Sequence, residues 1–421
     1  MRTQRVVLPW GAWHGDGTHE LRLPATWDVA TLGAAGGPTL TDEQIAAALN
    51  DPKGAPPLED VAKGRRRACI VVDDLARPTK VERPLRHILG ILDRAGVSAA
   101  HTTVLVATGT HPVLDASDLR LKVGDAVMNT CRVECHDATT NLAGTGLTYG
   151  DRELRLNRTF LDADLRVLVG SVIPHPFAGF SGGAKLVIPG LCDVDATERT
   201  HKFVLMGLRA GRAGEVGSNA FRVEIERLVH DIGVQWTVGI VPNVAREPAA
   251  IVGGDIVRAH RAACIAATRL YATPLHGTMD CLIVNAYPKD VDLVQSQNAL
   301  GVAQGMMPSP VREGGIVVMT TAAVRGVGGH GLFAPGGRTY RQPARIRAFG
   351  DRAVWLYAPT LTEHQARSLH WSGYPFFTSS EALTHALSGA LGDSATAGII
   401  PAASLQMLED HRSRVAPTAG R

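Results

Sequence analysis

Residues 68–111 read ACIVVDDLARPTKVERPLRHILGILDRAGVSAAHTTVLVATGTH. Ala68-Cys69-Ile70-Val71-Val72 is a short apolar, β-branched run that stops at Asp73-Asp74, the pattern of a buried strand. Over 82–95, Leu85, Ile88, Leu89 and Leu92 recur at helical spacing, with Pro84 in the first turn and Gly96 beyond the last. A second apolar run, 102–107, ends at Thr108-Gly109-Thr110-His111. Strand, helix, strand with continuously apolar strands predicts a parallel sheet covered on both faces.

The alternation continues outward. A helix is expected near 115–123, a strand over 131–135 ending at His136-Asp137, and a strand over 165–172 that runs into Ile173-Pro174-His175-Pro176 and a Gly-rich segment. A helix over 195–206 carries His201, and 236–241 reads as one more strand. Pro, Gly and Thr at 272–279 mark a boundary. A second series follows, with strands at 281–285, 315–320 and 353–357, helices at 293–305, 361–370 and 380–391, and a last helix over 402–412. The expected fold is therefore α/β, with two α/β domains of mostly parallel sheets and the active site in the cleft between them. Their expected bounds are 1–272 and 280–399, and the C-terminal helix, in about 400–421, could pack on the first.

Composition narrows the function classes. The chain has 421 residues, 45% hydrophobic and 20% charged, which fits a globular protein of more than one core. The 43 basic and 40 acidic residues nearly cancel, and Arg65-Arg66-Arg67 is the sole basic run, too little for a nucleic-acid footprint. Six cysteines, mostly inside apolar segments, read as reduced core thiols and point to a cytoplasmic location. No run approaches the ~18 apolar residues that span a bilayer, so no membrane insertion is expected.

In parallel sheets ligands bind beyond the carboxyl ends of the strands. The polar residues there are Asp73, Asp74, Arg77, Thr108, Thr110, His111, His136 and His175. His111 and His175, at the ends of separate strands, are candidate proton-transfer groups. Arg77 is a planar fork suited to a carboxylate or phosphate, or to an ion pair with Asp74. Lys185 is one of only seven lysines and lies between Gly182-Gly183-Ala184 and Leu186-Val187-Ile188-Pro189. The glycines allow a ligand to approach the backbone, and apolar neighbours lower an amine pKa and make it nucleophilic. Spacing alone favours phosphate or anion binding by Lys185 over covalent attachment. His201 has no histidine partner at i+4, and Cys131, Val133 and Cys135 alternate along a strand as core residues do. Neither GxGxxG nor a Walker loop stands at a strand-to-helix turn.

Five segments together carry a resemblance: DDLARPT (73–79), ATGTHP (107–112), HPFAGFSGGAKLVIPG (175–190), the histidine at 201 and YPKDVDLVQSQ (287–297). In this order, over about 68–300, the chain resembles the nickel-dependent lactate racemase family. The resemblance implies a pyridinium-type nickel-pincer mononucleotide joined through a thioamide to Lys185, with His201 completing the nickel coordination. Sulfur with imidazole suits Ni(II). It implies hydride transfer on a small-molecule 2-hydroxy acid, with His111 and His175 as bases for the two stereoisomers. Arg77 and Gln295 would hold the substrate carboxylate, Asp74, Gly182 and Gly183 would contact the cofactor, and separate cofactor-synthesis enzymes would supply it. One departure concerns substrate: Asn298 stands where the family commonly has a lysine that helps bind the carboxylate. An amide there points away from lactate, toward a larger or more hydroxylated acid such as a sugar acid. The loop Arg325-Gly326-Val327-Gly328-Gly329-His330 is also less acidic than the family pattern. Three other readings stand beside this one: a family member with different redox or isomerase chemistry, a non-catalytic nucleotide- or anion-binding protein, and a metal-dependent hydrolase built from His111, His136, His175 and His201.

Overall fold

The computed structural model describes residues 2–410 apart from 16, 206–212, 276, 305 and 307. Two six-stranded sheets organise the chain. In the first, the spatial order is Pro248–Gly254, Trp236–Pro242, Leu165–Ser171, Ala68–Asp73, Thr102–Ala107, Arg132–Cys135. All neighbours pair parallel except the edge strand Pro248–Gly254. The second is parallel throughout, ordered Phe376–Phe377, Ala353–Tyr357, Val311–Thr320, Met279–Asn285, Thr396–Ile400, Asp28–Thr31.

The continuous apolar strands divide their side chains between two cores, as the two-residue strand period requires. Ile70 and Val72 enter one core of the first sheet, and Cys69 and Val71 the other. Leu282 and Val284, against Cys281 and Ile283, do the same in the second. A fifth apolar cluster joins the two sheets: Trp13, Leu75, Ile173 and Phe180 meet Tyr287, Val291 and Leu405. Trp13 Nε1 donates to the Leu75 carbonyl at 3.0 Å, and the Arg246 guanidinium lies 4.2 Å from its ring centroid. Asp290, on the second sheet's side, accepts from the Gly11 and Ala12 amides at 2.7 and 3.1 Å. Among the described residues no helix is long and apolar enough to cross a membrane.

Several elements differ from the sequence reading. Residues 402–412 do not form the expected helix: Pro401–Leu405 turn, and Met407–Asp410 is a strand parallel to Ala272–Leu275, so tertiary pairing overrides helix-forming residues; 411 and 412 lie outside the described residues. The expected 293–305 helix is one α-turn, Leu293–Ser296, followed by a 3₁₀ stretch, Gln297–Val302, and that over 361–370 shrinks to Glu363–Arg367. The hairpin Leu142–Tyr149/Arg152–Asn157 and the strand Pro248–Gly254 were not expected. The first thirty residues, grouped from the sequence with the first unit, go to the second sheet: Asp28–Thr31 pairs with Thr396–Ile400, and Leu8, Leu21 and Leu23 of the N-terminal hairpin pack beneath it.

Candidate active site

A cavity of about 1310 Å³ lies beyond the carboxyl ends of strands from both sheets. The first sheet contributes Asp74 and Arg77 after Ala68–Asp73, His111 after Thr102–Ala107, and His175 and Lys185 after Leu165–Ser171; the helix Val194–Leu205 adds His201. The second contributes Lys289, Gln295 and Asn298 after Met279–Asn285 and His330 after Val311–Thr320. Every site residue expected from the sequence lines this cavity except Gly183 and His136.

The glycine pair acts on the protein side. Gly182 has φ +74° and a Cβ there would stand 2.9 Å from the Ser171 carbonyl oxygen; Gly183 has φ +57° and its Cβ would stand 2.9 Å from the His260 ring. His260 Nε2 donates to the Ser181 carbonyl at 2.8 Å, and the buried Arg222 guanidinium donates to the carbonyls of Ala178, Phe180 and Gly182. The loop is thus clamped from behind, and Lys185 leaves it on a single 3₁₀ turn, Gly183–Leu186, toward the cavity. No side chain or carbonyl among the described residues bonds its amine. Burial, with the charges of Arg77 and Arg222, drives that amine well below the usual lysine range, toward the neutral nucleophile.

Hydrogen bonds fix a different tautomer on each histidine. His111 Nδ1 lies 2.5 Å from Asp74 Oδ2, so the ring donates there and its Nε2 keeps a lone pair, 3.5 Å from Gln295 Nε2. Asp74, expected beside a cofactor, is therefore the group that orients His111. Burial raises the Asp74 carboxyl, but His111, Arg77 and Lys122 outweigh it and hold the acid ionised. His175 is the reverse case. Its Nδ1 accepts from the Phe177 and Ala178 amides, both at 3.2 Å, so the neutral ring carries its proton on Nε2. Burial, then Lys185, Arg77, Lys289 and His201, press its pKa well below the ordinary value. His201 Nδ1 donates to the Thr197 carbonyl at 2.8 Å, which leaves Nε2 free as a metal ligand. Its ring sits edge-on to Phe333 and Phe177, with centroids at 5.3 and 6.5 Å, and burial brings its pKa down to about 4.

Arg77 makes no ion pair with Asp74; its Nη1 donates only to the Ala76 carbonyl, at 3.2 Å, so the fork remains open to an anion. His330 was missed in the sequence. Its ring is 4.8 Å from that of His111 and 6.4 Å from that of His201, and burial pushes its pKa to about 2. The signal was its place after Gly328-Gly329, a pair that lets its loop approach another: the Gly331 amide donates to the Thr110 carbonyl at 2.7 Å. Lys289 stands in the sequence reading only within YPKDVDLVQSQ (287–297), with no role of its own. His136 does not join the site. It is fully buried, its Nε2 bonds the Cys192 carbonyl at 2.9 Å and its Nδ1 faces Asn157 at 3.3 Å. Among the described residues no three His, Cys, Asp or Glu side chains gather as metal ligands, so the four-histidine hydrolase centre does not form.

The match to lactate racemases covers the half that carries most of these groups. Residues 14–212 fit the lactate racemase N-terminal domain model. The chain is 26% identical over 300 residues to the lactate racemase of Lactiplantibacillus plantarum, and 24% over 296 residues to that of Thermoanaerobacterium thermosaccharolyticum; each alignment covers 69% of this chain and 68% of the relative. The chain is similar to lactate racemases over this length, and the matched domain lies in its first half. The matched segment, 14–212, contains Asp74, Arg77, His111, His175, Lys185 and His201. The shared fold extends further. The lactate racemase apoprotein of Thermoanaerobacterium thermosaccharolyticum superposes with TM-score 0.75 at 20% identity, covering 96% of this chain and all of that one. A Thermotoga maritima protein superposes with TM-score 0.65 at 18% identity, over 89% of this chain and all of its own.

Proposed function

We propose that the protein is a racemase or epimerase of a 2-hydroxy acid that works by reversible hydride transfer with a nickel-pincer nucleotide tethered to Lys185. One observation carries the reading: a buried amine with no partner among the described residues shares a cavity with a histidine whose Nε2 is free, and with two further histidines held in complementary tautomers. The residues fit such a group. A neutral amine is what acylation requires, His201 offers one imidazole lone pair, and the protein supplies no other cluster of metal ligands among the described residues, so the remaining donors fall to the cofactor. Lys185 and His201 would hold the group, which would supply a reversible hydride acceptor for the substrate α-carbon, with a planar keto acid between the two stereoisomers.

The protein handles the proton and the carboxylate. His111 Nε2 takes the hydroxyl proton of one stereoisomer, while the Asp74 carboxylate holds Nδ1–H and stabilises the imidazolium that forms. His175 presents Nε2–H to the oxygen from its own loop. It serves the other stereoisomer as a base once its proton moves to Nδ1 and the two amide bonds are released. Arg77 binds the carboxylate through its fork, and the rings of Phe177 and Phe333 cover the centre against water. Asn298 Nδ2 donates to the Gln295 carbonyl at 2.8 Å, leaving its Oδ1 for a ligand, and the buried Gln297 Nε2 bonds nothing among the described residues. These two amides suit a substrate with hydroxyls beyond C2 and support an acid other than lactate.

The test is co-expression with cofactor-synthesis enzymes and nickel in a cytoplasmic host, followed by incubation with enantiopure 2-hydroxy acids in D₂O and chiral separation. The proposal expects the opposite stereoisomer with no deuterium at the α-carbon, because the hydrogen returns as hydride. His111→Ala and His175→Ala should each stop turnover without loss of the Lys185 adduct. Deuterium at the α-carbon, or full activity in either variant, contradicts it.

A further inference from the structure

Lys289 lines the cavity with 2% of its surface exposed, and among the described residues no carboxylate, carbonyl or hydroxyl bonds its ammonium. Its surroundings make this unusual. The turn that carries it is tied on every side: the Lys289 amide donates to the Ala286 carbonyl at 2.9 Å, Asn285 Nδ2 bonds the carbonyls of Pro9 and Pro401 at 2.8 Å, and the Ala323 amide donates to the Asp290 carbonyl at 2.8 Å. The adjacent Asp290 carboxylate, the obvious partner from sequence, is held by the Gly11 and Ala12 amides. Asp73 pairs with Lys122 at 2.5 Å, and Asp74 with His111. A lysine fixed in this place with every nearby carboxylate engaged elsewhere weakens the fold, because a buried amine without a partner forfeits its hydration. Such a residue is kept for a ligand.

We infer that Lys289 binds the substrate carboxylate together with Arg77, one basic side chain from each sheet, the lysine taking a proton from solvent as the anion enters, so that the acid bridges the two halves of the cleft. Both side chains line the one cavity, and each is near enough to the other to depress the lysine's affinity for its proton; burial is the larger cause, and Asp74 opposes both. The naming of the ligand as a 2-hydroxy acid rests on the function proposed above; the anion site itself does not.

The experiment therefore uses cofactor-free protein and two probes, glycolate and inorganic phosphate, with affinities from calorimetry and stability from thermal denaturation. Lys289→Met should raise the melting temperature and weaken glycolate binding by about 10- to 100-fold, the range of a charged hydrogen bond. Lys289→Arg should keep the affinity within threefold, and guards against misfolding of the methionine variant. Phosphate, which meets the same two groups, should weaken alongside glycolate. Three results overturn the inference: a lowered melting temperature with unchanged glycolate affinity, a loss confined to phosphate, which would assign Lys289 to a nucleotide, or equal loss in the arginine variant. Failure of the nickel chemistry would leave all of these readings intact.

Discussion

Replacing Asp74 with asparagine tests how the site sets its base. Asp74 is 4% exposed and its Oδ2 lies 2.5 Å from His111 Nδ1, so the variant removes a buried, charge-assisted hydrogen bond in nearly unchanged volume. Such a bond contributes about 1.5–3 kcal/mol, or roughly 10- to 150-fold in rate if all of it is expressed in the transition state. A second effect adds to it. The amide can present Nδ2–H to the ring, and His111 then carries its proton on Nε2, where it cannot accept another; in the serine-protease triad the same change costs about 10⁴-fold. The expected loss in kcat/KM is therefore roughly 10²- to 10⁴-fold. The assay is the initial rate of inversion by chiral chromatography, with the mass of the Lys185 peptide measured on the same preparation. An activity within threefold of the unaltered protein refutes the assignment of Asp74 to His111. A lost mass increment would instead return Asp74 to the cofactor contact that the sequence predicted.

Two further predictions concern stability. Lys122 and Asp73 form a wholly buried ion pair behind the site, so Lys122→Met strands the carboxylate and should cost about 3–5 kcal/mol in chemical denaturation; a change below about 1 kcal/mol would show that Asp73 finds another partner. Burial pushes the Asp292 carboxyl up to about 6, from an ordinary 3.8. An acid raised in the folded state is stabilising when protonated, so this contribution is fully present below about pH 4 and is lost as pH rises through about 6. The difference corresponds to about 3 kcal/mol. Asp292→Asn should remove that decline from the pH profile of the melting temperature and leave the variant the more stable protein at pH 8; parallel profiles would contradict it.

The strand ends that build the site were legible because buried parallel strands are continuously apolar and stop abruptly at polar residues: Asp73, Ser171 and Asn285 each close an observed strand, and Thr108 directly follows Thr102–Ala107. What depends on pairing was not. Asp28–Thr31 is short and largely exposed, and carries no apolar pattern; it is a strand because Thr396–Ile400 offers an edge. Met407–Asp410 contains good helix formers yet pairs with Ala272–Leu275. The segment after Asp292 begins as a capped helix, but Ser296 Oγ bonds Thr321 Oγ1 at 2.6 Å and Asn298 turns back to Gln295, which tightens it to a 3₁₀ stretch. Among site residues, most of those in recognisable motifs were found, although Lys289 lies inside YPKDVDLVQSQ and received no role. His330 and Lys289 escaped because their meaning lies in what surrounds them: one ring placed against His111, and one amine whose neighbouring carboxylate is engaged elsewhere. Gly182 and Gly183 were assigned to ligand approach, whereas Ser171 and His260 behind them are what exclude a Cβ.

The account stands on the amine of Lys185. Protein produced with nickel and the cofactor-synthesis enzymes should be digested and the peptide spanning Lys185 weighed. A mass increment confined to that lysine, absent from Lys185→Ala and accompanied by nickel that His201→Ala fails to retain, is the predicted result. An unmodified Lys185 in a preparation that inverts a 2-hydroxy acid would contradict it.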